Sequence, residues 1–347
     1  MVGRQPARVY ISDWKAWAGL GVSALLLWLI FRGEDIGAIG QQIASADPAM
    51  LLLAGAISTA GGLVRALRWR LLLEPLGVPV SLNARWKALN IGFAVTNLSP
   101  LPRLGELARP FALSKMVPIS MSAALGTVLL ERVLDIIALL ILLLVTLLAP
   151  AFPTDVSMFG RPIGYAVAGA IVVGFVALGI VASLVLWPNR AIRIARSIGD
   201  RLPGHAGERI VDALEAFLTG LDLLRQPAAL LKSLLWSLLL WVWMAASFWA
   251  AFRAFGIDLG FTAVLFTQCV VSVFVAIPAG PGFIGTLQAG VLVAVSGVFN
   301  VSETEALSMS VGYHLAGYIP VTLLGLYYAW TLRLRISSIQ TEAEEAR

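Results

Sequence analysis

Charge, sulfur and imidazole are scarce in this chain of 347 residues, and each scarcity excludes something. Only 13% of the residues are charged, against roughly 25% in a typical soluble domain, so a fully water-facing surface is excluded. A single cysteine, Cys269, excludes an intramolecular disulfide. Two histidines, His205 and His314, are too few for an ordinary metal cage, so no metal, cofactor or redox role is expected. Lysine is also rare: Lys15, Lys87, Lys115 and Lys232 are all there are, which leaves 21 of the 25 basic residues as arginine.

What is present is apolar. Hydrophobic residues make up 59% of the chain and the mean hydropathy is +0.86. Runs at residues 14–31, 48–73, 121–148, 163–187, 228–252 and 308–332 read as complete crossings, since about 20 apolar residues span a bilayer as a helix. Arg4 and Arg8 precede the first run, but that run is long and lacks a small-x-small cleavage site, so it is expected to stay in the mature protein. The pattern predicts an all-α polytopic membrane protein of about six full spans.

Basic residues predict the orientation. Residues 1–15 hold three, 65–87 five, 190–232 seven and the tail from 333 three, whereas the connections at Arg32, Arg161 and Arg253 hold one each. The positive-inside bias then places both termini in the cytoplasm of an inner (plasma) membrane. The pI near 9.7 follows from that asymmetry and requires no nucleic-acid partner.

Two apolar stretches are interrupted by proline and glycine. The first breaks at Pro100, Pro102 and Gly105, the second at Pro278, Gly280, Pro281, Gly282 and Gly285. Irregular backbone is tolerated at membrane depth only where it is buried in protein or lines a polar cavity. Residues 85–116 are expected to enter and return from the cytoplasmic side, as a re-entrant hairpin or as two full crossings, and residues 261–299 from the outside, the alternative being eight to ten ordinary helices with incidental prolines. Each half therefore reads helix, broken hairpin, helix. The expected organisation is a single membrane domain: an N-terminal span in 1–47, a first repeat in 48–150, a linking span at 163–187, and a cytoplasmic amphipathic segment in 188–227. An inverted second repeat in 228–335 and a tail at 336–347 complete it. Within the cytoplasmic segment, Ile210, Leu214, Phe217, Leu221 and Leu224 recur at helical spacing, predicting an interfacial helix over residues 208–224.

Ionisable residues inside apolar sequence mark the candidate site, because they are costly in a bilayer and face a cavity or each other. Around the first hairpin these are Arg103, Glu106 and Arg109, with the polar Asn97 ahead of them, followed by Glu131, Arg132 and Asp135 in the next helix. Glu131 and Asp135 are four apart and share a face, with Arg132 close enough to pair. Two readings stand: a salt-bridge cluster that pins the hairpin, or a headgroup site in which an arginine fork binds a lipid phosphate. The second hairpin offers backbone amides near Phe283, with Gln288, Tyr313 and His314 as polar neighbours. No catalytic motif is evident.

The segments 102–109 (PRLGELAR), 131–135 (ERVLD) and 277–285 (IPAGPGFIG), in that order and spacing, resemble the membrane domain shared by bacterial lysylphosphatidylglycerol synthases and stand-alone flippase-like proteins. The resemblance covers roughly residues 15–335. Two positions depart from it: Gln288 stands where an acidic residue is common, and His314 follows Tyr313 where an arginine is common. The resemblance implies movement of a polar lipid between leaflets, with a phospholipid or a polyprenyl-phosphate lipid as partner and a homo-oligomer as an open option. Synthase activity is expected to be absent, because the fifteen residues from Arg333 to Arg347 do not make a soluble catalytic domain. An integral-membrane enzyme acting on a lipid phosphate through Glu106, Glu131 or Asp135, and an accessory protein that binds lipid without moving it, are the rival classes.

Overall fold

The computed structural model describes residues 14–99, 104–153, 188–199 and 227–334, with separate positions between 157 and 187 and between 211 and 218. Helix α1 occupies Trp14–Phe31, α2 Ile36–Ser45, α3 Pro48–Leu73, α4 Leu82–Leu98, α5 Leu104–Ser114, α6 Met121–Leu147 and α7 Pro188–Gly199. Helix α8 spans Pro227–Ala254 and α9 spans Phe261–Val275. Helix α10 starts as Thr286–Val291 and continues through a π-helical turn, Leu292–Ser296, into Gly297–Phe299; α11 is Glu303–Thr331. A two-residue antiparallel pair, Ser157–Met158 with Arg161–Pro162, is the only extended pairing among the described residues.

The chain is an all-α polytopic membrane protein. Four helical stretches among the described residues, Pro48–Leu76, Ala228–Ala254, Pro281–Phe299 and Glu303–Thr331, are long and apolar enough to cross a bilayer. Leu52, Leu63, Leu144, Leu235, Leu323 and Trp330 point outward and exposed, as a lipid-solvated surface allows, since a helix satisfies its own backbone there. Polar caps set where the helices begin. Asp47 accepts from the amides of Ala49 and Met50 with Pro48 at the first turn of α3, and Ser81, Ser120 and Ser302 cap α4, α6 and α11. Helix α11 therefore starts at Glu303, five residues ahead of the apolar run at 308, where Glu303 and Glu305 favour the positive helix end. Helix α2 was invisible to hydropathy; Asp35 caps it, and its Ile39 packs in a cluster with Ala289 and Leu307.

The packing repeats itself. In the first half α3 packs on α4 and α6, α4 on α5, and α5 on α6; in the second half α8 packs on α9 and α11, α9 on α10, and α10 on α11. Between the halves α3 meets α8, while α3 and α4 pack on α11 and, correspondingly, α8 and α9 pack on α6. Helices α3 and α8 lie antiparallel. The Asp47 amide meets the Ala254 carbonyl at one end, Trp243 Nε1 donates to the Ile57 carbonyl midway, and Arg68 meets Ser237 near the other end.

Asn97, in the last turn of α4, and the second-hairpin loop from Gly280 to Ile284 lie level with helix midpoints. Tyr318, which contacts Asn97, is 15 residues past the start of α11 and 13 short of its end. Ser23, which holds the second tip, stands 9 residues after the first residue of α1 and 8 before its last. Arms of 17 residues in α4 and 15 in α9 reach roughly 22 to 26 Å at 1.5 Å per residue, about half the length of α11 and its flanking caps.

The basic-residue count needs correction. Arg65, Arg68 and Arg85 were counted in a cytoplasmic connection, yet Arg65 and Arg68 lie inside α3 and Arg85 is buried with its guanidinium on the Ala66 and Leu67 carbonyls. A one-dimensional count cannot see which face of a helix an arginine takes. The linking span at 163–187 is helical at positions 165, 168, 169, 172, 176, 179 and 183, Trp187 at its end is exposed and outside the helix, and the rest of it lies outside the described residues. Of the amphipathic segment, positions 211, 212, 214, 215 and 218 are helical, with Leu218 packed against the α3–α6 core; Ile210, Phe217, Leu221 and Leu224 fall outside the description.

Candidate functional site

The carboxylates of Glu131 and Asp135 sit on one face of α6, and arginines from three helices converge on them. Arg68 Nη2 lies 2.9 Å from Glu131 Oε1, Arg109 Nη2 lies 2.8 Å from Glu131 Oε2, and Arg68 Nη1 makes a short contact with Asp135 Oδ1. Arg65 approaches Glu131 and Asp135 at 3.5 and 3.7 Å, and Arg132 does so at 3.5 and 3.9 Å. The spacing explains the meeting: Arg65 and Arg68 at i, i+3 on α3 face Glu131 and Asp135 at i, i+4 on α6.

Tryptophans and hydroxyls close the cluster. Arg109 stacks 3.7 Å above the Trp69 ring, and Trp69 Nε1 donates to Thr127 Oγ1 at 2.9 Å. Arg65 lies 5.3 Å over Trp241, whose Nε1 donates to Asp135 Oδ1 at 3.2 Å. Arg68 also donates to Ser237 Oγ at 2.7 Å. Planar, weakly hydrated guanidinium groups stack on such aromatic faces while their edges donate to the carboxylates.

Basic groups outnumber acidic ones at the cluster, four to three when Glu106 near Arg132 is counted. Four guanidinium groups stand within salt-bridge distance of two carboxylates, and Arg68 Nε, Arg109 Nε and Arg132 Nε are buried without a hydrogen-bond partner. Glu131 and Arg68 have fully buried side chains, whereas Arg132 is 39% and Arg65 12% exposed. By 1.5 Å per residue, Arg65 lies roughly 12 Å from the end of α3 and Arg132 roughly 16 Å from the start of α6. A guanidinium left open at that depth has to meet water or an anion. The cluster thus has a closed part, Arg68 and Arg109 locked on Glu131 and Asp135, and an open part, Arg65 and Arg132.

The second polar centre is where the hairpin tips meet. Tyr318 donates its hydroxyl to the Asn97 carbonyl at 2.8 Å, and Asn97 Nδ2 donates to Thr322 Oγ1 at 2.7 Å. Gly282 adopts φ 62°, and a Cβ there would overlap the Tyr318 ring and stand 3.5 Å from Asn97 Cα. Phe283 follows at φ 61°, a left-handed geometry costly for an aromatic residue. Ser23 Oγ accepts from the Gly280 amide and donates to the Ile284 carbonyl, each at 2.8 Å.

Gln288 behaves as a structural clasp. Its Oε1 accepts from the Gly285 amide at 2.8 Å and its Nε2 lies 3.1 Å from His314 Nδ1. Helix α10 starts at Thr286, three residues later than the expected start near Phe283, and two amides of the loop are engaged, that of Gly285 by Gln288 and that of Gly280 by Ser23. His314 packs edge-on to Tyr318 with ring centroids 5.6 Å apart, so it belongs to the tip.

The structure brings Arg109, Glu131, Arg132 and Asp135 into one cluster and Asn97, Gly282, Gln288 and His314 into another. Glu106 is half-buried on α5 and close enough to Arg132 to interact electrostatically. Gly105 belongs to neither group; its Cα faces Thr96 and the Gly92 carbonyl so closely that a Cβ would overlap both. Tyr313 turns away from the tips, stacked on Phe248 at 4.1 Å with its hydroxyl 3.0 Å from Ser247 Oγ. Pro278 is exposed and Pro281 half-buried in the second loop. Pro100, Pro102 and Arg103 lie outside the described residues. Arg65, Arg68, Trp69, Ser237 and Trp241 were missed by sequence reasoning; the i, i+3 arginine pair several residues inside an apolar run was the available signal. No group of three or more metal-ligating side chains occurs among the described residues.

Comparison with known proteins agrees with this architecture. The family model described as the lysylphosphatidylglycerol synthase TM region matches residues 16–325. Two proteins of Methanothermobacter thermautotrophicus, each named a UPF0104 membrane protein, are similar over 324 residues. One is 22% identical, covering 88% of this chain and 92% of the relative; the other is 26% identical, covering 89% and 91%.

Proposed function

Because the chain belongs to the lysylphosphatidylglycerol synthase transmembrane-region family, we propose that it is a lipid flippase or transporter, moving a phospholipid or polyprenyl-phosphate lipid between leaflets of the inner membrane. The observation that carries this reading is the open side of the arginine cluster: Arg132 and Arg65 stay partly exposed at membrane depth although two carboxylates are beside them. A planar guanidinium fork binds a phosphate through two parallel hydrogen bonds. Asn97 and Gly282 belong to the tips of opposed hairpins, and α5 joins the first tip to Arg109 within about two helical turns. In this account the headgroup passes from the arginines to the tips while the acyl chains stay in lipid.

The repeated packing and the antiparallel α3 and α8 support an inverted repeat about an axis in the membrane plane. Both termini are then cytoplasmic and the hairpins enter from opposite sides. The tip contacts are single neutral hydrogen bonds, each worth about 1 kcal/mol net, so exchanging them for alternative contacts costs little compared with unfolding a span. Alternating access would then consist of one hairpin shifting against the other.

The enzyme reading is weakened by the same geometry. Glu131 is held by Arg68 and Arg109 and Asp135 by Arg68 and Trp241, which favours fixed charge over proton exchange. Reconstitution into vesicles separates the classes. Leaflet transfer of a labelled phospholipid supports a transporter, a chemically new lipid supports an enzyme, and binding without either supports an accessory protein.

A further inference from the structure

We propose that His314 is the proton-binding site of this transporter: as a neutral ring it holds the second hairpin tip against α11, and on taking up a proton it releases that tip. The inference rests on the transporter reading and adds an ion to it.

The donors and acceptors at the tip admit one arrangement. The Gly285 amide can only donate, so the Gln288 atom 2.8 Å from it is the carbonyl oxygen Oε1. The other end of that side chain is then Nε2, which points at His314 Nδ1 from 3.1 Å. An amide nitrogen donates and does not accept, so Nδ1 presents its lone pair and the ring proton sits on Nε2. The Gly282 carbonyl acts on the same ring and suits that N–H. His314 is therefore neutral in this structure, with its tautomer fixed by the backbone of the loop.

Protonation breaks this chain of bonds at one place or another. A proton from water adds to the Nδ1 lone pair, the ring becomes cationic, and two N–H groups then face each other across 3.1 Å. If the Gln288 amide turns over to offer Oε1 to the imidazolium, the Gly285 amide loses its acceptor instead. Either way a connection between α11 and the start of α10 is lost, beside Phe283, whose φ of 61° already costs energy. His314 is half-buried rather than sealed, so water can deliver the proton. Tyr318, one turn further along α11, packs on the same ring and bonds Asn97 of the first hairpin, so a shift of the second tip reaches both.

The groups facing His314 are Gln288 from α10, the Gly282 carbonyl from the loop and Tyr318 from its own helix. Ser23 of α1, Ser58 of α3 beside Gly317, Asn97 of α4 and Thr322 of α11 are further polar side chains of this region. None of these side chains carries a charge at neutral pH. Arg103 lies outside the described residues; a charge there alters the pH of release and leaves the clash of donors as it is.

The test uses the full-length chain with His205→Gln, which leaves His314 as the one histidine, isotope-labelled at the imidazole nitrogens and placed in lipid nanodiscs for magnetic resonance and in vesicles for leaflet transfer. At about pH 8 the nitrogen shifts should show a bare Nδ1 and a protonated Nε2, and at about pH 5 two protonated nitrogens. Transfer of a labelled phospholipid, corrected for empty vesicles at each pH, should be about threefold to tenfold faster at the lower pH. His314→Asn keeps an acceptor near the Nδ1 position without titrating and should remove the acceleration. Gln288→Glu should remove it with the histidine intact, because a carboxylate accepts from Gly285 and from the protonated ring together. A proton on Nδ1 at about pH 8, or a ring still neutral at about pH 5, overturns the proposal without recourse to any variant. Transfer that ignores pH while the ring titrates overturns the coupling and leaves lipid transport standing. A ring that titrates as expected, with no transfer at either pH, overturns the transporter reading on which the proposal rests.

Discussion

The hydroxyl of Tyr318, at the midpoint of α11, donates a hydrogen bond to the carbonyl of Asn97 at 2.8 Å. The acceptor lies in the last turn of α4, and the ring of Tyr318 packs on Gly282 of the opposite hairpin. One side chain of a long helix thus touches both broken segments at mid-depth. Tyr318→Phe should remove this hydrogen bond at a cost of about 0.5 to 1.5 kcal/mol, with amide exchange at residues 95–98 accelerated. Unchanged exchange there would mean that the tip is held by other contacts.

The cluster divides into a closed and an open part, and substitutions should divide with it. Arg109→Gln and Arg68→Gln each leave a buried carboxylate short of a partner and should destabilise by about 3 to 5 kcal/mol. Arg132→Gln removes a group 39% exposed and should change stability by about 1 kcal/mol or less. Thermal melting of the three variants in one detergent checks the order, and equal losses would remove the distinction.

Gly105 and Gly282 are constrained for different reasons. A Cβ at Gly105 would overlap Thr96 Oγ1 and the Gly92 carbonyl, so Gly105→Ala forces α4 and α5 apart and should cost about 1 to 3 kcal/mol. Gly282→Ala meets both a φ of 62° and the Tyr318 ring, so it should disturb the tip contact itself. Folded yield should fall for Gly105→Ala, while leaflet transfer should fall for Gly282→Ala. Wild-type stability and flux in both would show that these breaks are tolerant.

Topology gives a prediction independent of energetics. In a Cys269→Ser background, Arg161→Cys and Arg253→Cys should react with an impermeant thiol reagent in intact cells, and Arg196→Cys and Arg347→Cys should react only after lysis. Labelling at position 196 in intact cells would overturn the inverted arrangement.

The helices were legible because lipid demands long apolar runs: the run at 48–73 is α3, and the run at 121–148 is α6 plus one residue. The meeting of Arg109 with Glu131 is one of the two readings the sequence allows, since intramembrane charges seek each other. Arg65 and Arg68 were not legible, because a count of basic residues assigns them to a loop and only the rotation of α3 turns them inward. The role of Gln288 was also hidden. Whether an amide faces a ligand or clasps the backbone of Gly285 depends on a turn whose positive φ angles are not written in hydropathy. Helix α2, short and flanked by exposed residues, carries its information in the Asp35 cap rather than in an apolar run.

The most direct measurement is leaflet transfer of a fluorescent phosphatidylglycerol in vesicles containing the purified chain, read as loss of the fraction protected from an external quencher. The account predicts that the protected half is lost much faster than in empty vesicles, and that Arg132→Gln, folded and inserted to the same extent, slows that loss by about tenfold or more, equivalent to at least 1.4 kcal/mol. Protection identical to that of empty vesicles, with the wild-type chain demonstrably folded, would contradict it.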